Sequence, residues 1–582
     1  MVEVRFGIFY EHQLPRPWGA DSEHRLLTDA LEQVELADKV GFDYVWEVEH
    51  HFLEEYSHSS APEVFLAAAS QRTSRIRLGH GIVQAPAAVN HPARIAERVA
   101  TLDLVSDGRV EFGTGEASSA SELGGFGVRR DAKRAMWAET VDAVTRMFVE
   151  EPFAGYEGEF LQMPPRNVVP KPLQRPHPPL WVACSRRETI QLAARSGMGA
   201  LSFSFAEPED AARWVAEYYD LIASPECMPL GFAVNPNVAI VLPMMLHRDE
   251  ATAIDRGIDG AHFFGYSLGH FYGGQHRVGG TDLWRSFQTD RAGAGFAREI
   301  VEATAAPLAV RLLQAGLGSL RGAIGTPEQV TDLIDRYAKA GVDQVMFVMQ
   351  AGNNRHEHIC ESIELFASEV LPRFAEGRDQ QEAAKADRLA AAAERALARR
   401  DGPRTLRQPY LIDEAAEIEA ATRAGQVPLR ERAVIARGSA AQTVRVRAQA
   451  GARRIVTAAS DQRLERVFGG VGAQRRMFAL MAGRFDAGRA AGFSGAIVYD
   501  LGLADGASRA WTIEIRGDRA RARLGRAQSP ALTIGIGLAD LIKLMTQAQD
   551  SYQLIAAGRL TLDGDLGLAS RLGDMFGGGS VY

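Results

Sequence analysis

A histidine beside an acidic residue follows one of the short apolar segments of the chain. Glu49 and His50 begin the run Glu49-His50-His51-Phe52, directly after residues 43–47, which have the apolar pattern of a β-strand. Because histidine titrates near neutral pH, a histidine next to a carboxylate at a strand end suits general acid–base catalysis. A polar loop with solvated histidines would show the same run. We therefore take Glu49 and His50 as candidate catalytic residues.

A second candidate site combines glycine with an acid. The stretch Phe112-Gly113-Thr114-Gly115-Glu116 ends another predicted strand, after a helix and a glycine-containing turn. Glycine at a strand end lets a flat ligand approach the backbone closely, so Gly113 and Gly115 are candidate cofactor-binding residues. Ion pairs around the turn are an adequate explanation for the charged side chains upstream, Arg94, Glu97, Asp103 and Arg109.

A third candidate site suits an anion. Ser185 and Arg186 lie between a predicted strand and a helix that ends near Ser196. The free N–H groups of a helix start, a serine hydroxyl and an arginine can together hold a phosphate. A plain serine cap with solvent-facing arginines would explain the same residues.

The elements that must position these residues alternate regularly. Short apolar runs, most of them followed by an amphipathic helix, predict parallel strands buried on both faces and hence an α/β fold, a (β/α)₈ TIM barrel. Active sites of such barrels lie at the C-terminal strand ends. A doubly wound sheet is the alternative, but no GxGxxG follows the first strand. The predicted strands are Val4–Phe9, Tyr44–Trp46, Ile76–Val83, Val110–Phe112, Leu180–Ala183, Ala200–Phe203, Val238–Leu246 and Gln344–Met349.

Further along the chain the pattern changes. Gly257–Gly295 is rich in glycine, histidine and aromatic residues and has no clear period, which predicts an irregular loop near the active site. We expect the barrel to occupy residues 1–375, followed by a charged, alanine-rich, solvated helical linker over 376–404. Residues 405–461 stay unassigned, with a partly helical pattern. Alternating strands and two amphipathic helices over 462–582 predict a smaller α+β domain.

Composition narrows the classes of function. A chain of 582 residues needs more than one core, and its net charge of −8 gives no sign of the concentrated basic face that nucleic-acid binding requires. The three cysteines are too few and too scattered for a disulfide framework or a CxxC site. Without a signal-peptide pattern or an apolar run long enough to span a bilayer, we expect a cytoplasmic protein with no transmembrane segment. His262, His270 and His276 match no common zinc spacing, so we expect no metal site.

The order of these motifs resembles that of the luciferase-like flavin-dependent monooxygenases. The resemblance covers residues 4–374 and rests on four stretches of sequence. These are Trp46–Phe52, Gly81-Ile82-Val83, His91-Pro92-Ala93-Arg94 and the segment Ser106–Gly113.

That family folds as a TIM barrel, and many members take reduced FMN from a partner flavin reductase and use it to activate molecular oxygen. The resemblance implies that His50 is the catalytic histidine and that Ser185 and Arg186 lie in the phosphate-binding segment. It also adds Gly81 and Val83 to the candidate cofactor-binding residues. A small, apolar organic substrate would suit such an enzyme. The sequence leaves the oligomeric state open, and a homo-oligomer is compatible with it.

One departure from the family leaves the cofactor open. Bacterial luciferase has a cysteine and an arginine where this chain has Gly115 and Glu116. Here the stretch looks like relatives that use a deazaflavin for hydride transfer without oxygen, in which the glutamate matching Glu116 donates a proton. The alternative to an FMN monooxygenase is therefore a deazaflavin-dependent dehydrogenase with Glu116 as a catalytic residue.

The C-terminal segment, residues 463–572, resembles the sterol carrier protein type-2 fold. The resemblance rests on Trp511–Ile515, Leu538–Leu541 and, most specifically, Gly558–Asp565. Members of that family bind lipids or acyl chains between a sheet and helices, so the domain could take a lipid-like substrate, or it could have a filled core and serve stability. A third hypothesis for the whole chain is a lipid-binding carrier whose barrel is inactive.

Overall fold

Runs of buried apolar residues form the strands of a closed parallel barrel. Each strand pairs with the next along the chain and the last pairs with the first, which leaves no edge strand. The predicted TIM barrel and all eight predicted strands are confirmed. The strands are β1 (Arg5–Tyr10), β2 (Tyr44–Glu47), β3 (Arg77–His80), β4 (Val110–Gly115), β5 (Leu180–Cys184), β6 (Gly199–Ser202), β7 (Val238–Leu246) and β8 (Gln344–Val348).

The computed structural model describes most of the chain in two compact units, Met1–Tyr410 and Leu411–Tyr582. The unassigned segment 405–461 lies largely outside the described residues. Described are residues 4–203, 208–272, 280–294, 296, 310–313, 316–375, 377–406, 410, 412, 454–490, 492–546, 548–549 and 551–576.

Side chains of the barrel strands alternate between the interior and the surrounding helices, as the two-residue period of a strand requires. In β1, Phe9 packs inside the barrel with Trp46 and Trp181. Its neighbours Phe6 and Ile8 belong to the outer layer between strands and helices. The barrel interior is therefore a packed core, and only its ends are open to ligands.

Helices cover the outside of the barrel. They are α1 (Ser22–Val40), α2 (Pro62–Ser70), α3 (Pro92–Val105), α4 (Ala120–Gly125), α5 (Lys133–Val149), α6 (Arg187–Arg195), α7 (Pro208–Ala223), α8 (Glu250–Tyr272), α9 (Leu283–Asp290), α10 (Pro327–Lys339), α11 (His356–Glu369) and α12 (Arg378–Leu397). Single turns of 3₁₀ helix span Glu54–Tyr56 and Leu371–Phe374. Short strands outside the barrel are Val83–Gln84, Tyr156–Glu157, Gln162–Met163, Val310–Leu313, Gly316–Leu320 and Ala323–Gly325.

The irregular loop expected over Gly257–Gly295 is wrong where the structure describes it. Helix α8 runs through to Tyr272 and α9 follows at Leu283. The glycines of α8 permit close packing: a Cβ atom at Gly257 would lie 2.5 Å from the Cβ atom of Met245, and one at Gly260 would meet the Ala351 carbonyl oxygen. Residues 273–279 and 295 lie outside the described residues.

The charged segment after the barrel is helical as expected; most of its residues are exposed, but one face packs against the barrel. Helix α12 buries Ala396 completely. Lys385 lies 2.8 Å from Asp343, and Arg378 lies 3.1 Å from Asp43. These acids precede β8 and β2, so α12 lies against the N-terminal ends of the barrel strands, and the first compact unit extends past residue 375 to Tyr410.

The second unit is an α+β domain, as predicted. Its five-stranded sheet has the order β11 (Arg519–Leu524), β10 (Ser508–Arg516), β9 (Gly495–Gly502), β12 (Leu532–Gly537) and β13 (Leu560–Gly564); it is mostly antiparallel, with β9 and β12 parallel. Inward-facing residues of the sheet, among them Tyr499, Trp511 and Ile534, form one core with the helices. The elements are α13 (Asp461–Phe468), α14 (Val471–Ala482), a 3₁₀ turn (Ala487–Arg489), β9 (Gly495–Gly502), β10 (Ser508–Arg516), β11 (Arg519–Leu524), β12 (Leu532–Gly537), α15 (Leu538–Met545), α16 (Ser551–Ala556), β13 (Leu560–Gly564) and α17 (Leu566–Met575).

Among the described helices none combines the length and the apolar character that crossing a bilayer would require.

Candidate functional site

His50 lies between two buried carboxylates at the C-terminal end of the barrel. Its Nδ1 atom is 2.9 Å from Oε1 of Glu122, and its Nε2 atom is 3.5 Å from Oε2 of Glu11. Glu11 follows β1 and Glu122 lies in α4, so three separate segments build the arrangement. The His50 side chain keeps 16 % of its surface exposed, whereas the two carboxylates are almost fully buried. The imidazole is thus the accessible group of the cluster.

The three groups shift one another's protonation. Burial alone would lower the pKa of His50, but the charges of Glu122 and Glu11 outweigh it and raise the pKa to about 9. Burial raises the pKa of Glu11 to about 7, although His50 and the Tyr56 hydroxyl work against it. Burial opposes ionisation of Glu122 as well, yet His50 and several hydrogen bonds lower its pKa to about 2. Near neutral pH the cluster therefore holds a protonated imidazole, one firm carboxylate and one carboxyl group that titrates.

Hydrogen bonds from neighbouring side chains hold the carboxylates of Glu122 and Glu11 in place. The Ser119 hydroxyl donates to Oε2 of Glu122 at 2.6 Å, and the Gln84 amide also donates to that carboxylate. The Tyr56 hydroxyl donates to Oε1 of Glu11 at 3.1 Å. With its partners held in this way, the His50 ring has a defined orientation, which acid–base chemistry requires.

Backbone strain is concentrated around this cluster. Of the described non-glycine residues with positive φ, four lie after the C-terminal ends of β1, β2 and β4: His12 at +50°, Phe52 at +63°, Glu54 at +41° and Ala117 at +59°. Such conformations cost free energy and persist where the surrounding structure enforces them, which is common at functional sites. Their placement agrees with the side-chain geometry in marking this end of the barrel as the site.

Glu49 does not serve as the partner of His50. Its carboxylate accepts hydrogen bonds from the Gln84 N–H at 2.8 Å and from the Asn90 amide at 2.7 Å, and it lies 3.1 Å from Nε2 of His51. A carboxylate with all these partners fixes the loop after β2. Its charge helps to raise the pKa of His50, after the larger effects of Glu122 and Glu11, and its role as a catalytic residue stays a prediction.

The glycines at the end of β4 leave space that neighbouring backbone and side-chain atoms of the protein occupy. A Cβ atom at Gly113 would collide with the His80 carbonyl oxygen, and one at Gly115 would lie 2.5 Å from the Ile82 side chain. A Cβ atom at Gly81 would lie 2.8 Å from the ring of Phe9. These glycines are required by strand packing, so the reason given for them from the sequence, close approach of a flat ligand, is not the reason the structure provides.

Val83 is buried and packs into the outer layer between strands and helices. Its side chain therefore lies on the side of the strand away from the barrel interior. As for the glycines, a role of Val83 in cofactor binding stays a prediction.

Glu116 is engaged by two cations. Its carboxylate lies 3.1 Å from the Lys133 ammonium and 2.7 Å from Nε of Arg134. Both partners belong to the first turn of α5. The acid that distinguishes the two cofactor hypotheses is thus held in an ion-pair cluster apart from the contacts of His50.

Ser185 and Arg186 are exposed where β5 leads into α6. The neighbouring Arg187 turns instead to Glu217, at 2.7 Å. The first N–H groups of α6 carry partial positive charge. This end of the barrel therefore has a hydroxyl, a guanidinium and a helix start close together in the chain, and a role of Ser185 and Arg186 in phosphate binding stays a prediction. Within the described residues no three histidine, cysteine or acidic side chains converge as a metal site would require.

Two residues of the central cluster escaped the sequence analysis. Glu122 is 72 residues from His50 in the chain and no motif connects them. The sequence could have indicated Glu11, because this residue stands directly after β1. His50 was selected as a polar residue at the C-terminal end of a barrel strand, and Glu11 meets the same criterion.

The barrel and this site define the class: a TIM-barrel protein with a buried histidine–carboxylate cluster at its C-terminal mouth. Comparison of the sequence with family models gives the family. Residues 4–344 match the model of the luciferase-like monooxygenases, and the chain belongs to that family. Residues 481–577 match the model of the SCP-2 sterol transfer family.

Individual relatives agree with the family. The chain is 34 % identical over 180 residues to 4-hydroxyprotoasukamycin monooxygenase of Streptomyces nodosus subsp. asukaensis, over 30 % of this chain and 47 % of that protein. It is 29 % identical over 198 residues to the oxygenase component of flavin-dependent trigonelline monooxygenase of Acinetobacter baylyi, over 33 % of this chain and 52 % of that protein. The matches thus span about half the length of these curated relatives.

A solved structure supports the fold. The crystal structure of the monooxygenase RslO1 from Streptomyces bottropensis aligns with a TM-score of 0.51 and 27 % identity, over 64 % of this chain and all of that chain.

Proposed function

We propose that the barrel is a flavin-dependent monooxygenase that uses reduced FMN and molecular oxygen on a small, apolar organic substrate. The observation that carries the proposal is the His50 imidazole held between the Glu11 and Glu122 carboxylates at the barrel mouth. Insertion of one oxygen atom and release of the other as water needs protons delivered at defined atoms, and a positioned imidazolium supplies one.

The residues at the mouth fit a flavin phosphate. Ser185, Arg186 and the start of α6 form an exposed set of donors next to β5. This is the arrangement in which helix N-termini bind phosphate. Reduced flavin, when bound, supplies the electrons that activate oxygen. The space beside the glycines of β4 is occupied by the chain's own atoms, so their part in cofactor binding stays a prediction.

In this reaction His50 would act as the general acid at its Nε2 atom. Glu122 holds Nδ1 and fixes the ring, while Glu11 faces Nε2 at a distance of 3.5 Å. Such a long contact leaves Nε2 open to a ligand oxygen. Glu11, ionised in the active form and with a pKa near 7, is suited to take up a proton from solvent and pass it to the imidazole after each turnover.

The surroundings favour an apolar substrate. The His50 ring neighbours those of Tyr56 and Tyr272 at 5.8 and 6.4 Å, and Tyr56 packs in turn on Phe264 and Phe271 of α8. A wall of aromatic rings beside the acid favours flat or hydrophobic molecules. A relative is named as the oxygenase component of a two-part enzyme, and by analogy we propose a separate flavin reductase as partner.

The hypothesis of a deazaflavin-dependent dehydrogenase rests on Glu116 as proton donor. Because Lys133 and Arg134 occupy that carboxylate, the structure gives this role no support. We expect Glu116→Gln to retain oxygen-dependent turnover and to alter mainly the affinity for cofactor. Deazaflavin-linked activity that disappears in this variant would reverse the assignment.

For the second unit we propose binding of a lipid-like molecule, on the ground of its match to the SCP-2 family. The third hypothesis, a carrier with an inactive barrel, is disfavoured because the cluster around His50 is complete. Titration of the purified chain with FMN, followed by reduction and measurement of oxygen consumption with candidate apolar substrates, tests the proposal. Failure to bind FMN in either redox state would refute it.

A further inference from the structure

Glu55 is a fully buried acid next to the candidate site that the reaction itself does not use. It belongs to the 3₁₀ turn Glu54–Tyr56, in the loop that carries His50. Its Oε1 accepts a hydrogen bond from the N–H of Leu283 at 2.5 Å and, at 3.1 Å, shares with Glu54 the single hydroxyl proton of Thr281. Its Oε2 accepts from the N–H groups of Trp284 at 3.1 Å and Arg16 at 3.0 Å.

These donors show what Glu55 does. Two of them are the first N–H groups of α9, so the carboxylate caps that helix from a different part of the chain. In the part of the chain that the structure describes, no basic side chain pairs with Glu55. Its negative charge is stabilised by N–H and hydroxyl groups, and the loss of one carboxylate oxygen would leave buried donors unsatisfied.

The same turn contacts the acid–base cluster. Tyr56, the next residue, donates its hydroxyl to Glu11 and packs against α8. The far end of α9 is also tied to α8, because Arg291 lies 2.7 Å from Asp259. Helices α8 and α9 therefore both meet the His50 loop at this turn, and α8 also reaches His50 itself through Tyr272.

The loop needs such a restraint. Phe52 and Glu54 both have positive φ, which non-glycine residues adopt only at a cost in free energy. Glu54 is itself bound by Thr281, whose N–H and hydroxyl donate to it at 2.9 and 2.8 Å. Two adjacent acids thus hold a strained loop to the start of α9.

We propose that Glu55 is a positioning residue for the barrel's chemistry: by capping α9 it fixes Tyr56, and through Tyr56 it fixes Glu11 beside His50. The inference rests on the proposed function for its catalytic meaning, but the linkage itself exists in the protein without cofactor. The charged or titratable groups that face Glu11 are His50 and Tyr56 from the loop after β2, Glu47 from β2 and Glu122 from α4. Of these, Tyr56 is the one joined directly to Glu55.

The test is a histidine NMR titration of the full chain without flavin, with His50 assigned by the signal missing in His50→Gln. In the wild type, the His50 signal should report two steps, the lower one from Glu11 near pH 7. Tyr56→Phe removes a hydrogen bond to the Glu11 carboxylate and should raise the lower step by roughly one pH unit. Glu55→Gln should move it in the same direction, and Thr281→Val, a milder change, should do so by less.

Asp282→Asn is the matched control, since it removes an exposed charge at the same helix start without touching Glu55. It should leave the titration unchanged. In turnover assays Glu55→Gln should lower kcat/KM by roughly 10- to 100-fold, as misplacement of a catalytic group does. A folded Glu55→Gln or Thr281→Val protein with wild-type titration steps would overturn the proposal. Absence of flavin-dependent turnover in the wild type would count against the proposed function and leave the titration result standing.

Discussion

The proton on His50 is governed by carboxylates that approach the ring from two sides. Glu122 alone would make a firm ion pair with little reason to release a proton. Glu11, deeply buried and only 3.5 Å from the other ring nitrogen, is the group poised between two protonation states. Shifted pKa values of this kind are concentrated at functional sites, which makes the accessible imidazole between two acids a candidate acid–base group.

Replacement of the imidazole tests this directly. His50→Ala should lower turnover by about 10²–10⁴-fold, the usual cost of losing a general acid or base. Flavin affinity, measured by fluorescence titration, should change little, because the proposed phosphate contacts lie at Ser185 and Arg186. His51→Ala, which removes the neighbouring ring that contacts Glu49, is the control and should keep most of the activity. Wild-type turnover in the His50 variant would exclude it from the mechanism.

The pH dependence follows from the same cluster. If the active form has ionised Glu11 and protonated His50, kcat/KM should rise with pH through about 7 and fall again through about 9. Glu11→Gln should abolish the rising limb. Because it also removes a negative charge beside the imidazole, it should lower the pKa of His50 and move the falling limb to lower pH. A profile of Glu11→Gln that coincides with the wild-type profile would contradict this reading.

At the scale of elements, the strands were predictable and some helices were not. Each barrel strand is a run of apolar residues buried on both faces. That pattern can be recognised in the sequence without knowledge of the tertiary structure. Helix α8 was missed because Gly257, Gly260 and its aromatic residues obscure the helical period, and the reason for those glycines is visible only in the partners they pack against. Likewise, the sequence of α12 alone does not show that its basic side chains pair with Asp343 and Asp43 of the barrel.

The docking of α12 can be tested on its buried face. Ala396→Glu places a carboxylate where a fully buried methyl group packs, and should lower the free energy of unfolding of the barrel by about 2 kcal/mol or more. Ala390→Glu, on the exposed face of the same helix, should have little effect. Urea denaturation of residues 1–410 compares the two. Equal stability would mean that α12 is solvated, as expected from its composition alone.

At the scale of the whole molecule, the chain forms two compact units, each with its own hydrophobic core. One core contains the barrel and its helices, and the other lies between the five-stranded sheet and its helices. The first unit matches the luciferase-like monooxygenases, and the second matches the SCP-2 sterol transfer family. We propose that a domain able to hold a lipid-like molecule serves the oxygenase as a source or a store of apolar substrate.

The division itself is the last prediction. We expect the boundary to follow Tyr410, because α12 and the segment after it are tied to the barrel, for example by Arg404, which lies 2.9 Å from the buried Glu150. Residues 1–410 should therefore fold and bind FMN like the full chain, whereas residues 1–375, which lack α12, should unfold at lower urea concentration. Residues 454–582 should show their own cooperative unfolding, and a fluorescent fatty acid should bind to them and not to 1–410. Unfolding curves and the two binding titrations on the three fragments decide the matter. If 1–375 is as stable as 1–410, α12 contributes nothing to the barrel; if 454–582 folds but binds no fatty acid, its core is filled and its role is structural.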